Sequence, residues 1–269
     1  MIRFVVCDID GTLVGPDEVL SDDILLMKRQ LEERGILFSV ATGRTESMAE
    51  KFIGKLKLKV PYVACNGATV LQGSRVYRHL QFAAAPLRTF IEKADSLGLS
   101  VINTIDGIEY AWRDAPYILS QRARFGRYQT TRQFTEQEWQ TLRLDKISIM
   151  SDRDDDDIAF LETMCRNLHD SEIGYTRYLD RSVEVVNHEA TKASGVAFLA
   201  HLLGFTMAEV MFVGDHQNDM ELIQAAGVGV AVGNSTEEVK ASADYVCSQP
   251  CALGVREAVD RFLLQGARG

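Results

Sequence analysis

The chain has 269 residues, 46% of them hydrophobic and 25% charged, the composition of a folded protein of one large or two moderate domains. Its net charge of −9 argues against general affinity for nucleic acid, whose phosphate backbone attracts basic surfaces. No apolar run is long enough to span a bilayer, and Asp8 and Asp10 stand where a signal peptide needs its apolar segment, so a cytoplasmic protein is expected. The five cysteines (Cys7, Cys65, Cys165, Cys247 and Cys251) form no C-x-x-C pair, which favours reduced thiols over a disulfide framework or a zinc site.

The first element in chain order is an apolar run ending at Cys7, followed by Asp8-Ile9-Asp10-Gly11-Thr12-Leu13. It reads as a buried strand that stops at a loop. Ser21 then caps a helix running to about Arg34, with Gly35 as its stop signal. Ile36–Val40 is a second buried strand, and Thr42-Gly43-Arg44 follows it. A helix from about Glu46 leads to a third strand at Tyr62–Cys65. Strands alternating with helices predict βαβ units and a parallel sheet.

From about Phe82 to Val186 the pattern changes. Helices are expected near Pro86–Leu97 and Asp155–Leu168, and strands at Val101–Ile105, Ile147–Met150 and Ser182–Val186. The run Asp154-Asp155-Asp156-Asp157 lacks the alternating ligands and central glycine of a calcium loop and reads as a solvated helix N-terminus. The last third returns to alternation. A helix at about Ala193–Leu203 precedes a strand at Val210–Val213, and another helix precedes Val228–Val232. A helix at Val255–Leu264 closes the pattern. The fold expected is α/β: a doubly wound, Rossmann-like parallel sheet in residues 1–81 and 187–269, with an α+β domain inserted at 82–186.

In open α/β sheets, ligands bind beyond the carboxyl ends of the strands. Here those ends carry Asp8 and Asp10; Thr42, Gly43 and Arg44; and Gly214-Asp215-His216-Gln217-Asn218-Asp219. Lys192, which opens the next expected helix, joins them. The set suits phosphoryl transfer. An aspartate, with an ordinary pKa near ~3.9, is already ionised at neutral pH and needs no base to act as nucleophile. Its repulsion from a phosphate is relieved by a divalent cation on Asp8, Asp10 and Asp215 and by the fixed charge of Lys192. Oxygen-only ligands favour Mg²⁺.

These four segments, in this order and spacing, resemble the motifs of the haloacid dehalogenase-like hydrolase superfamily. Cys65-Asn66-Gly67-Ala68 matches its Cof-like subclass, whose α/β cap is inserted between the second and third motifs. The resemblance implies that Asp8 is the nucleophile and Asp10 the general acid and base. It implies Mg²⁺ on Asp8 and Asp215 and on the Asp10 backbone carbonyl, with Asp219 orienting Lys192 or the metal's water. Phosphate would be held by Thr42, Lys192, Asn218 and the Ile9 and Gly43 N–H groups, and substrate met by Arg44 and Asn66. An aspartate at position 10 separates this chain from the dehalogenases, which lack that acid, and from the transport ATPases, which carry Lys-Thr after the nucleophile.

The function implied is a phosphatase of small phosphorylated metabolites, such as sugar or cofactor phosphates, with specificity residues inside the cap. A phosphomutase of the phosphomannomutase type carries the same signature. A non-catalytic phosphate-binding module would be expected to lack Asp8, Asp10 or Lys192, and all three are present. His216 reads as a loop histidine satisfied by water. Arg122, Arg124 and Arg127 read as the solvated basic face of a helix, with recognition of a second anionic group as the alternative.

Overall fold

The computed structural model describes residues 1–151, 156–168, 171–178 and 181–264. It divides into two compact units, one formed by Met1–Arg44, Met48–His79 and the chain from Thr191 onward, the other by Thr45–Ser47 and Leu80–Ala190. The acidic run at 154–157 falls partly outside the described residues.

The first unit is built on a five-stranded sheet in the order Tyr245–Val246, Val228–Ala231, Val210–Gly214, Phe4–Cys7, Leu37–Val40. Every pairing is parallel, with Cys7 opposite both Val213 and Val40. Parallel strands covered on both faces read as continuous apolar runs, because alternate side chains enter two different cores. Val5 and Cys7 meet Met27, Leu31 and Val255 on one face. Phe4 and Val6 meet Val196, Leu199 and Phe212 on the other. From Phe4–Cys7 the chain first moves to Leu37–Val40 on one side and later returns to Val210–Gly214 on the other. The winding therefore reverses beside the end of the first strand, where open α/β sheets bind their ligands.

Two local expectations need correction. Ser21 does occupy the N-cap of helix Asp22–Glu33, but its side chain makes no capping hydrogen bond. Its buried Oγ has no hydrogen-bond partner among the described residues. Tyr62–Ala64 meets the parallel sheet at an isolated bridge between Ala41 and Val63. Its main pairing is antiparallel with Thr69–Gln72. The chain reverses there because Cys65 and Asn66 adopt left-handed φ values of 49° and 52°, and Gly67 one of 100°.

The second unit is α+β. Its antiparallel sheet runs Ile173–Tyr178, Ser182–Asn187, Lys146–Met150, Ser100–Ile105, Ile108–Ala111. Helices Arg88–Ser96 and Asp156–Arg166 cover one face through Phe90, Ile91, Ile158 and Leu161, against Val101, Ile147, Ile149, Val183 and Val185. Ile102, Ala111, Ala115 and Ile118 form a smaller cluster that includes the helix Pro116–Phe125. That helix carries Arg122 and Arg124, which the sequence placed on a helix, whereas the strands Ile108–Ala111 and Ile173–Tyr178 had no clear sequence signal.

Candidate active site

Asp8 is the first residue past the first strand, and its N–H is held by the Val213 carbonyl at 2.9 Å. The chain then folds back, with the Leu13 and Val14 N–H groups donating to the Ile9 carbonyl at 2.9 Å. Gly11 permits this turn with φ +80°, and a Cβ there would lie 2.1 Å from Asp215 Oδ2. The bare backbone thus lets the Asp215 carboxylate sit against the loop, where it accepts the Thr12 hydroxyl at 2.8 Å.

Asp215 itself leaves the strand Val210–Gly214. Its turn is tied by Asp219, whose Oδ2 accepts the N–H groups of Asp215 and His216, each at 3.0 Å. Asp219 Oδ1 accepts from Lys192 Nζ at 2.7 Å, and Lys192 also donates to Asp8 Oδ1 at 2.7 Å. Lys192 and Asp219 are almost fully buried and Asp8 nearly so. Oxygens of Asp8, Asp215 and Asp219 lie within 4.8 Å of one another. The Asp10 carboxylate stands outside this group.

Lys192 is delivered by backbone chemistry. Thr191 caps the helix Lys192–Leu202, accepting the Ser194 N–H at 3.0 Å. Two glycines bring that helix end inward. A Cβ on Gly67 would lie 1.9 Å from the Thr191 carbonyl oxygen, and one on Gly195 would lie 2.9 Å from Gly67 Cα. Neither approach is open to a residue with a side chain.

On the opposite side, Thr42 is fully buried and its hydroxyl accepts the Arg44 N–H at 3.1 Å. Asn218 and Asn66 are linked by an Nδ2–H donating to Oδ1 at 2.9 Å, beside Gly43. Arg44 takes Asp10 in a two-point grip, Nε to Oδ2 at 2.7 Å and Nη2 to Oδ1 at 2.6 Å. The same guanidinium donates to Glu18 at 2.8 Å, and Glu18 is paired with Lys51. Arg44 therefore serves the acid here as well as lying beside the Thr42 loop. Glu18 went unnoticed in the sequence, because a lone acid in a loop carries no pattern.

The electrostatics follow from too many carboxylates for one ammonium. Burial pushes the Asp8 carboxyl well above its ordinary range; Lys192 pulls it down, and Asp219 and Asp215 push it further up. Asp215 is pushed up to about 6 by burial, then by Asp219 and Asp10, against the Thr12 hydrogen bond and Lys192. Burial would lower Lys192, but Asp219 and Asp8 outweigh it and keep the ammonium charged. Burial lowers the His216 pKa, favouring a neutral imidazole.

This donor set fits a divalent cation. It is all oxygen, it carries excess negative charge, and its carboxyl pKa values are raised by burial first and by the neighbouring carboxylates second. Asp8 Oδ2 and Asp215 Oδ2 accept no hydrogen bond among the described residues, whereas both oxygens of Asp219 are engaged.

Comparison with known proteins agrees with this geometry. A sequence model described as haloacid dehalogenase-like hydrolase matches residues 5–259. The chain is 27% identical over 270 residues to 5-amino-6-(5-phospho-D-ribitylamino)uracil phosphatase YcsE of Bacillus subtilis (strain 168), covering 98% of this chain and 96% of that protein. It is 28% identical over 271 residues to the HMP-PP phosphatase of Klebsiella pneumoniae (strain 342), covering 98% and 95%. A haloacid dehalogenase-like hydrolase from Bacteroides thetaiotaomicron superposes with a TM-score of 0.83 at 23% identity, over 98% of this chain and 100% of that one, a likeness of fold. With the motif residues gathered at one end of the parallel sheet and the family model spanning nearly its whole length, the chain belongs to the haloacid dehalogenase-like hydrolase family.

Proposed function

We propose that this protein is a Mg²⁺-dependent phosphatase of small phosphorylated metabolites, working through an aspartyl-phosphate. The observation that carries the reading is the group of Asp8, Asp215 and Asp219, of which Asp8 and Asp219 are buried and paired with the Lys192 ammonium. Two relatives matched over 98% of the chain bear the names of phosphatases, which supports the same reaction class.

An Asp8 carboxylate oxygen attacks phosphorus while the bond to the leaving oxygen breaks and Asp10 gives that oxygen a proton. Asp10 then takes a proton from a water as its oxygen attacks the phosphorus of the aspartyl-phosphate. Inorganic phosphate leaves and the Asp8 carboxylate is restored. Lys192 spends two of its three N–H donors on Asp8 and Asp219, which leaves one for a phosphate oxygen. Thr42, Asn218 and the Ile9 and Gly43 N–H groups hold the remaining oxygens. Asp219 orients Lys192, and Arg44 holds Asp10. Asp8 and Asp215, with the Asp10 backbone carbonyl, would hold the cation. When bound, Mg²⁺ reduces the repulsion between the Asp8 carboxylate and an anionic phosphate. Residues 82–186 act as the cap that reads the leaving group.

The test is phosphate release from a panel of phosphorylated metabolites, in Mg²⁺ and in EDTA. Release that requires Mg²⁺ is expected, and Asp8→Asn should lower it by at least about 10³-fold with folding intact. Turnover retained in Asp8→Asn would overturn the nucleophile assignment.

A further inference from the structure

We propose that Glu18 is a positioning residue for the reaction, holding Arg44 in the orientation that aims the Asp10 carboxylate. In the phosphatase reading, on which this rests, Asp10 gives the leaving oxygen its proton. Glu18 lies outside the motif segments and acts through Arg44 alone.

Asp10 cannot fix its own direction. Its side chain is 50% exposed, and a half-exposed carboxylate samples its rotamers unless something grips it. Arg44 supplies the grip, and its side chain is only 7% exposed. Exposed ion pairs hold little, but a two-point pair between a guanidinium and a carboxylate, with one partner buried, fixes direction as well as distance. The aim of Asp10 is therefore set by whatever sets the plane of the Arg44 guanidinium.

Three groups set that plane. The Nε–H donates to Asp10 Oδ2, and the two N–H bonds of Nη2 are divided, one to Asp10 Oδ1 at 2.6 Å and the other to Glu18 Oε1 at 2.8 Å. The donors of a guanidinium lie in one plane, so a carboxylate on each side of Nη2 stops that plane from turning. The third group is the buried Phe52, whose ring centroid lies 4.7 Å from Arg44 Cζ. A ring face attracts a cation without choosing a direction for its hydrogens, so that choice falls to Glu18.

Glu18 is itself placed at a cost. Its φ of +54° is in the left-handed region that residues with a side chain seldom occupy. The turn holds it there: its N–H donates to the Gly15 carbonyl at 3.0 Å, and the Val19 N–H donates to Asp17 Oδ1 at 3.2 Å. A glycine would take this backbone without strain, so the turn does not account for a glutamate. Its side chain does. It is 16% exposed, and its second oxygen pairs with Lys51, whose Nζ lies 4.7 Å from the same Phe52 ring. The carboxylate thus joins two cations over one aromatic face.

The test is Glu18→Gly, which removes the carboxylate and suits the left-handed backbone, so the melting temperature should hold. Two substrates separate the roles. The alkoxide of a sugar phosphate needs a proton to leave, whereas p-nitrophenolate leaves without one. In Glu18→Gly, the ratio of kcat/KM for the fastest sugar phosphate to that for p-nitrophenyl phosphate should fall about tenfold or more, because a misaimed acid slows only the leaving group that needs it. Glu18→Gln keeps an oxygen that accepts from Arg44 and should bring the ratio back to within about threefold of wild type. An unchanged ratio in Glu18→Gly, an equal loss on both substrates, or no recovery in Glu18→Gln would overturn the proposal. The phosphatase reading fails separately, if wild type hydrolyses neither compound or if Asp10→Asn loses both equally. Hydrogen exchange at the Arg44 Nε–H, assigned by NMR against Arg44→Lys, then decides the role of Glu18. Exchange about tenfold faster in Glu18→Gly supports it, and an unchanged rate refutes it.

Discussion

Asp215→Asn tests whether the acidic cluster is held at an electrostatic cost. The folded protein raises the Asp215 carboxyl from its ordinary 3.8 to about 6. A group bound more tightly by protons in the folded state adds stability below its unfolded pKa, and that contribution is lost as pH rises through the folded value. A rise of that size, at ~1.4 kcal/mol for each pH unit, amounts to about 3 kcal/mol lost between roughly pH 4 and pH 7. Asparagine does not titrate and can still accept the Thr12 hydroxyl at the position of Oδ1. In EDTA, wild type and Asp215→Asn should therefore be nearly equal in stability at about pH 4, with the variant ahead by up to about 3 kcal/mol near neutrality. Both tryptophans, Trp112 and Trp139, belong to the second unit, so fluorescence would follow the wrong unfolding event. Urea unfolding read by far-UV circular dichroism is the suitable assay. Mg²⁺ at about a thousand times its Kd should reverse the order, since such a ligand adds ~4.1 kcal/mol to the protein that binds it. A variant no more stable than wild type near neutrality in EDTA would refute the reasoning.

Two further substitutions probe the same cluster. Lys192→Met leaves Asp8 and Asp219 buried without their cation, so it should cost about 3–5 kcal/mol in EDTA as well as turnover; an unmoved urea midpoint would show that the ammonium does not hold the carboxylates. Gly67→Ala should lower both the melting temperature and activity, because its Cβ would meet the Thr191 carbonyl at 1.9 Å and displace the helix end that carries Lys192. Gly35→Ala is the control: it has a left-handed φ of 72° and no atom within 4 Å, so it should cost only ~1–2 kcal/mol and spare turnover.

The polar ends of the parallel strands were legible because a strand buried on both faces is an uninterrupted apolar run, and whatever follows it stands at the sheet's rim. Asp8, Thr42 and Asp215 were found in that way. The partners that hold them were not. Glu18 reaches Arg44 across 26 positions of sequence, and no periodicity marks such a contact. Gly67 and Gly195 meet across a helix and a turn, and a glycine's absence of side chain looks the same in sequence whether it serves a turn or a close approach. In the second unit, Thr104, Lys146 and Glu184 lie on three different strands and form no pattern in sequence. Only cross-strand register turns them into one cluster.

Asp8, Asp215 and Asp219 are equivalent as letters, and hydrogen bonding is what separates their roles. Asp219 accepts from Lys192 on one oxygen and from two backbone N–H groups on the other, so taking it as a metal ligand would require breaking contacts that shape the Asp215 loop. Asp8 and Asp215 each keep one oxygen without a hydrogen bond among the described residues. Those two oxygens are the ones a cation can take without cost to the fold, and only Asp8 also lies under the lysine that a phosphate would share. In the proposed mechanism, the division of labour among the three aspartates follows from which lone pairs neighbouring side-chain and backbone donors already occupy.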